Sequence, residues 1–107
     1  MPGVFTFVEA PIFTKLVGEY LTDGEYAALQ QALSRNPEIG EVIPASGGVR
    51  KVRWGTRGRG KRGGVRVIYF VRHEPGVIWL LTIYAKNVAE NIPVQLLRRI
   101  RKEIENE

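Results

Sequence analysis

The chain contains no cysteine and a single histidine. Disulfides and thiolate-held metals are thereby excluded, and the lack of thiols fits a cytoplasmic protein. A metal site built from several histidines is excluded as well. A Ser–His or Cys–His nucleophile has little to draw on, because His73 has no second proton-transfer partner in the pattern around it. It precedes Glu74, Pro75 and Gly76 and reads as an exposed turn residue. No apolar run approaches the ~18 residues that cross a bilayer, so no membrane partner is expected. The first residues, MPGVFTFVEAP, have no basic segment and reach Glu9 early, unlike a signal peptide. Acids are missing too: none stands between Glu41 and Glu74. That leaves no carboxylates for a magnesium site near the middle of the chain. GRGKRGG there lacks the spacing of a phosphate loop, and no cofactor is expected.

What is present points to one domain spanning residues 1–107, with 44% hydrophobic residues and a net charge of +5. The charge is unevenly spread. The acid-free interval holds Arg50, Lys51, Arg53, Arg57, Arg59, Lys61, Arg62, Arg66 and Arg72, more than half of the sixteen basic residues. A positive field focused in this way attracts a polyanion, nucleic acid first of all. A solvated basic face or a patch for an acidic protein is the plainer alternative. Residues 55–64, GTRGRGKRGG, are glycine and cation apart from one threonine. Such a segment turns freely and lets another backbone approach closely.

Hydrophobic periodicity sets out the elements. VFTFV, residues 4–8, reads as a strand. Pro11 opens a helix with Phe13, Leu16, Val17 and Tyr20 on one side. Thr22-Asp23-Gly24-Glu25 has the capping-box form and starts a second helix with Tyr26, Leu29, Gln30 and Leu33 on a stripe, stopped at Asn36-Pro37. Residues 40–48 form a connection with room for one extended pair. In residues 49–54, VRKVRW, alternation puts Arg50, Val52 and Trp54 on one face and Val49, Lys51 and Arg53 on the other. Residues 65–72 and 77–84 are the next strands, and the near-continuous apolar run VIWLLTIY is expected to be the central one. Asn91 and Pro93 introduce a third helix, with Leu96, Leu97, Ile100 and Ile104 as its apolar stripe. The order β-α-α-β-β-β-α predicts an α+β fold: a small twisted, mainly antiparallel sheet with helices packed on one face.

Lys, Arg and Tyr are the chemistry that remains. Cations can hold a phosphodiester and neutralise the charge that develops on it during cleavage. Arginine does not usefully lose a proton, so lysine or tyrosine must move it. Lys51, Lys61 and Lys86 are candidate bases, and Tyr69 and Tyr84 could bond a phosphate or stack on a base. RNA brings its own nucleophile, the 2′-hydroxyl, whereas DNA would need one from the protein. Arg66, in mid-strand among Val65, Val67 and Ile68, is costly unless it faces an anion or open water.

Taken together, GGVRKVRW, GRGKRGGVRVIYF and LLTIYAKN resemble the RelE/HigB toxins of type II toxin–antitoxin pairs, within the RelE/ParE superfamily. The similarity covers nearly the whole chain, including IFTKLVGEYLTDGEYAALQ and NPEIGEVIPASGG, and is nearest to the HigB branch with a Gly/Lys-rich arm. The resemblance implies a RelE-like fold and a ribosome-dependent, metal-independent mRNA endonuclease, an mRNA interferase. Such a toxin enters the ribosomal A site and inhibits translation by cleaving the codon there. The 2′-hydroxyl attacks the adjacent phosphate.

The implied partners are the ribosome with its RNA, the mRNA, and a cognate antitoxin carrying a helix-turn-helix domain. Operator DNA would be met only through the antitoxin complex. Arg66 in RVIY matches the arginine that holds the scissile phosphate, and Lys51 and Arg53 match the basic pair on the preceding strand. Lys61 belongs to the arm and Lys86 matches the basic residue after the last strand, close to Tyr84. Arg50, Arg57, Arg59, Arg62 and Tyr69 are expected to contact RNA or ribosome. RelE places a tyrosine in its C-terminal segment, and this chain has none after Tyr84. Proton transfer and stacking then fall to Tyr84, Tyr69 or Lys86. The other readings are a non-catalytic RNA- or ribosome-binding module and a ParE-like gyrase inhibitor.

Overall fold

The computed structural model describes residues 5–55, 64–85 and 94–105. Their order is β1 (Thr6–Glu9), α1 (Pro11–Tyr20), α2 (Asp23–Arg35), β2 (Glu41–Val42), β3 (Arg50–Trp54), β4 (Val65–Arg72), β5 (Val77–Ala85) and α3 (Val94–Glu105). This is the expected α+β fold, with the extended pair of the connection appearing as β2. The five strands line up as β1-β5-β4-β3-β2. Only β1–β5 is parallel; the other three pairings are antiparallel.

Helices α1 and α2 start where the sequence says they should. Pro11 occupies the first turn of α1, where a missing N–H costs nothing. Thr22 Oγ1 accepts from the Glu25 amide at 3.1 Å while the Thr22 amide donates to Glu25 Oε1 at 2.9 Å, which closes the capping box of α2. Helices α1 and α2 bury Phe13, Leu29 and Leu33 against Val52, Val67, Tyr69, Leu80 and Ile83 of the sheet. Burying each of those three side chains contributes about 1.5–3 kcal/mol. Glu9 ties these elements together: its carboxylate accepts from the Thr14 hydroxyl of α1 and the Tyr26 hydroxyl of α2.

Two expectations are corrected. The middle strand is β4, buried from Val65 through Phe70, and β5 lies beside it. The apolar run of β5 has another cause. Ile68 pairs with Thr82 but Tyr69 with Leu80, so Leu81 is an extra residue, a β-bulge. Both faces of β5 are packed, with Ile78, Leu80 and Ile83 in one cluster and Trp79, Leu81 and Tyr84 in the other, so neither face reads as polar. Helices also occupy both faces of the sheet. α1 and α2 cover one; Leu97 of α3, with Ile100, packs on the other against Val49, Ile68, Phe70, Leu81 and Tyr84. The side chains of Leu96 and Ile104, and the helix-opening Asn91 and Pro93, lie outside the described residues. Among the described residues no helix is long and apolar enough to cross a membrane.

Candidate nucleic-acid site

The alternation expected for β3 holds. Val52 and Trp54 join the core under α1 and α2, and Val49 joins the cluster under α3. Lys51 and Arg53 therefore stand on the α3 face. Sheet register then assembles a row across three strands: Arg53 opposes Arg66, and Arg66 opposes Tyr84. Neighbouring strands lie about 4.8 Å apart, so the three side chains leave the sheet side by side. The row sits one residue in from Trp54 and Val65, where the chain departs into the Gly/Arg arm. Gly64 marks the foot of that arm. Its φ of +54 is left-handed, and a Cβ there would collide with the Trp54 carbonyl.

Arg53 is exposed and Lys51 half-buried, but Arg66 is only 7% exposed. A cross-strand pair of like charges destabilises a sheet, and burying one of them adds desolvation. Tyr84 is equally buried, and among the described residues its hydroxyl has no hydrogen-bond partner. Burial raises its pKa above the usual phenol value, and the nearby Arg66 charge opposes that rise. A phenol in this state is a proton donor at neutral pH, not an acceptor. The row brings two guanidinium groups and one hydroxyl together on the α3 face.

One carboxylate stands on the same face. Glu41 is the register partner of Lys51. The linear reading missed it because β2 is only two residues long. The turn residues Ser46-Gly47-Gly48, flanked by Val42-Ile43 and residues 49–54, were a hairpin signal that could have revealed the pairing. Among the described residues no group of three or more His, Asp or Glu could hold a metal ion.

Arg50 and Tyr69, expected to contact RNA, stand on the opposite face of the sheet from the row. Tyr69 is fully buried under α1 and α2. Its hydroxyl donates to the Pro37 carbonyl at 2.8 Å and accepts from the Gly40 amide at 2.9 Å. Arg50 Nη1 donates to the Gly40 carbonyl at 2.6 Å and to the Glu38 carbonyl at 3.3 Å. Together they fasten the exit of α2 to the sheet and leave no ring face for a base. His73 is exposed as expected, 3.7 Å from Glu38. Arg57, Arg59, Lys61, Arg62 and Lys86 lie outside the described residues.

No protein-family model matches the chain. Among solved structures, the chain is similar to a mutant of the E. coli toxin RelE in the free state. The TM-score is 0.55 at 16% sequence identity, over 91% of this chain and 96% of that chain. At that identity the likeness speaks for architecture, and the architecture is RelE-like.

Proposed function

We propose that residues 1–107 act as one RelE-like toxin domain that cleaves mRNA in the ribosomal A site and so stops translation. The observation that carries this reading is the Arg53–Arg66 pair. Two arginines directly opposite each other, one of them nearly buried, make a poor sheet contact and a good phosphate cradle. The RelE-like fold supports the same reading.

In the proposed reaction the 2′-hydroxyl loses its proton and attacks the adjacent phosphorus. The bond to the 5′-oxygen breaks, leaving a cyclic phosphate on one fragment. The 5′-oxygen takes up a proton and leaves as a hydroxyl. Arg66 and Arg53 hold the phosphate and offset the charge that builds on its oxygens. Tyr84 donates a hydrogen bond or the proton to the leaving oxygen. Lys51 and Glu41, which oppose each other on this face, are the two groups placed to take the first proton. Lys61 and Lys86 join this machinery from the arm and from the chain after β5. Arg57, Arg59 and Arg62 supply salt-sensitive affinity for ribosomal RNA. A separate antitoxin with a helix-turn-helix domain blocks the toxin, and operator DNA is bound through that complex.

The test is translation of a defined mRNA with purified protein, with and without ribosomes, followed by mapping of 5′ ends. Cuts inside A-site codons that require ribosomes and vanish with Arg66→Ala are the expected result. An intact message with translation still running would overturn the reading.

A further inference from the structure

Helix α3 carries four described cations, and one differs from the rest. Arg98, Arg99 and Lys102 are exposed. Arg101 is half-buried and lies over the ring of Phe70, its Cζ 5.1 Å from the ring centroid. The stem of Arg101 passes the turn between β2 and β3 at Gly47. That glycine has a φ of +84, and a Cβ built on it would stand 2.6 Å from Arg101 Cδ and 3.0 Å from Nε. The turn thus leaves room for this side chain where any other residue would displace it.

The contact reaches the site through one turn of helix. Leu97 and Arg101 are four residues apart and share a face of α3. Leu97, Phe70 and Tyr84 belong to a single buried cluster, with Ile43 and Ile100 packed on it. Arg101 fastens the helix to the β2–β3 turn and to β4. Leu97, one turn earlier, is part of the apolar wall around Tyr84, whose hydroxyl stands in the row with Arg66.

We propose that Arg101 is a positioning residue: it does not touch RNA but sets where α3 lies, and through Leu97 it fixes Tyr84 beside Arg66. The proposal rests on the reading of the row as the cleavage site. Its chemistry is an aromatic–cation contact made inside the fold, where little water competes. Cleavage depends on geometry that binding does not need, so loss of the contact should slow the chemical step and spare affinity.

The experiment uses the full chain with Arg101→Met, which keeps an unbranched stem without charge, and Arg101→Lys, which keeps a cation over the ring. Single-turnover cleavage on mRNA-programmed ribosomes is read beside ribosome affinity. Titration of carbon-13-labelled Tyr84 is followed on the free protein, where Arg66 is the charged group facing its hydroxyl. Arg101→Met should slow cleavage by about a hundredfold, the order of a misplacement near 1 Å. Affinity should be unchanged, and Arg101→Lys should recover most of the rate. The Tyr84 titration should move down toward the ordinary phenol range as the hydroxyl gains water. Gly47→Ala should mimic Arg101→Met, and should cost less in an Arg101→Ala background, where no stem remains to be displaced.

Unchanged cleavage and an unmoved Tyr84 titration in Arg101→Met would overturn the proposal. So would lost affinity with an intact rate, which would make Arg101 an RNA contact. If the wild-type protein cleaves no RNA, the reading of the site fails, and the Tyr84 titration still decides the positioning. If Arg101→Met does not fold, Arg101→Lys and Gly47→Ala carry the same readouts.

Discussion

The two faces of the sheet share every strand and differ in almost everything else. Under α1 and α2 the sheet presents Val52, Val67, Leu80 and Ile83, and the polar groups there are bonded: Tyr69 to the α2 exit, Glu9 to Thr14 and Tyr26. On the α3 face the same β3, β4 and β5 carry an apolar cluster that includes Ile68 and Tyr84, with Lys51 opposite Ile68 and the Arg53–Arg66 pair beside Tyr84. One face supplies cohesion and the other uses it. Charges that would repel in a loose loop are held in line by a backbone whose far side is sealed. That division puts the side chains of the proposed site on rigid strands, where geometry is kept best.

The comparison can be broken most severely on the sealed face. Phe13→Ala should cost about 3–5 kcal/mol, the range for emptying a large aromatic site. Chemical denaturation should show it as a drop in midpoint, and any loss of cleavage should follow the unfolded fraction. Arg66→Ala should do the reverse. Cleavage should fall by about 10²–10³, the scale of removing one charge-stabilising donor, while the folded state survives. Rate and melting measured on the same samples separate the two.

A smaller effect is expected from Tyr69→Phe, which takes one donor and one acceptor from the α2 exit and should cost about 1–3 kcal/mol. Cleavage well below the melting temperature should persist, because Tyr69 faces away from the row. Alkaline pH sharpens this point. Burial raises the pKa of Tyr26, Tyr69 and Tyr84 above the usual phenol value. Above pH of about 10 the unfolded chain therefore releases phenol protons that the folded chain keeps, and stability declines as pH rises. Tyr69→Phe should flatten part of that decline. The least effect belongs to Thr22→Ala, about 1 kcal/mol from loss of the α2 cap, read as a small fall in melting temperature with the cleavage rate untouched.

Much of this was legible in the sequence where the signal is local. Thr22 and Glu25 are three residues apart and announce their own contact; Pro11 does the same for α1. The faces of β3 follow from strict alternation, and Arg66 stood out because a charge in mid-strand needs a reason. What was not legible depends on distant partners. Tyr69 reads as an available aromatic until the Pro37 carbonyl, far back in the chain, is seen to hold it. Glu41 became part of the α3 face only through a two-residue pairing. Arg101 looks like one more cation of a basic helix, and its difference lies in Gly47 and Phe70, which no helical period can reveal.

The bulge at Leu81 has a consequence for how this molecule could have changed over time. Leu80 and Tyr84 are both even-numbered, yet they face opposite sides of the sheet, because one extra residue lies between them. Deleting Leu81 would remove only the bulge: Thr82 would still oppose Ile68, Ile83 would still oppose Val67, and Tyr84 would stay in the row opposite Arg66. The extra residue thus absorbs a change of length, and a lineage could gain or lose it without moving any member of the row.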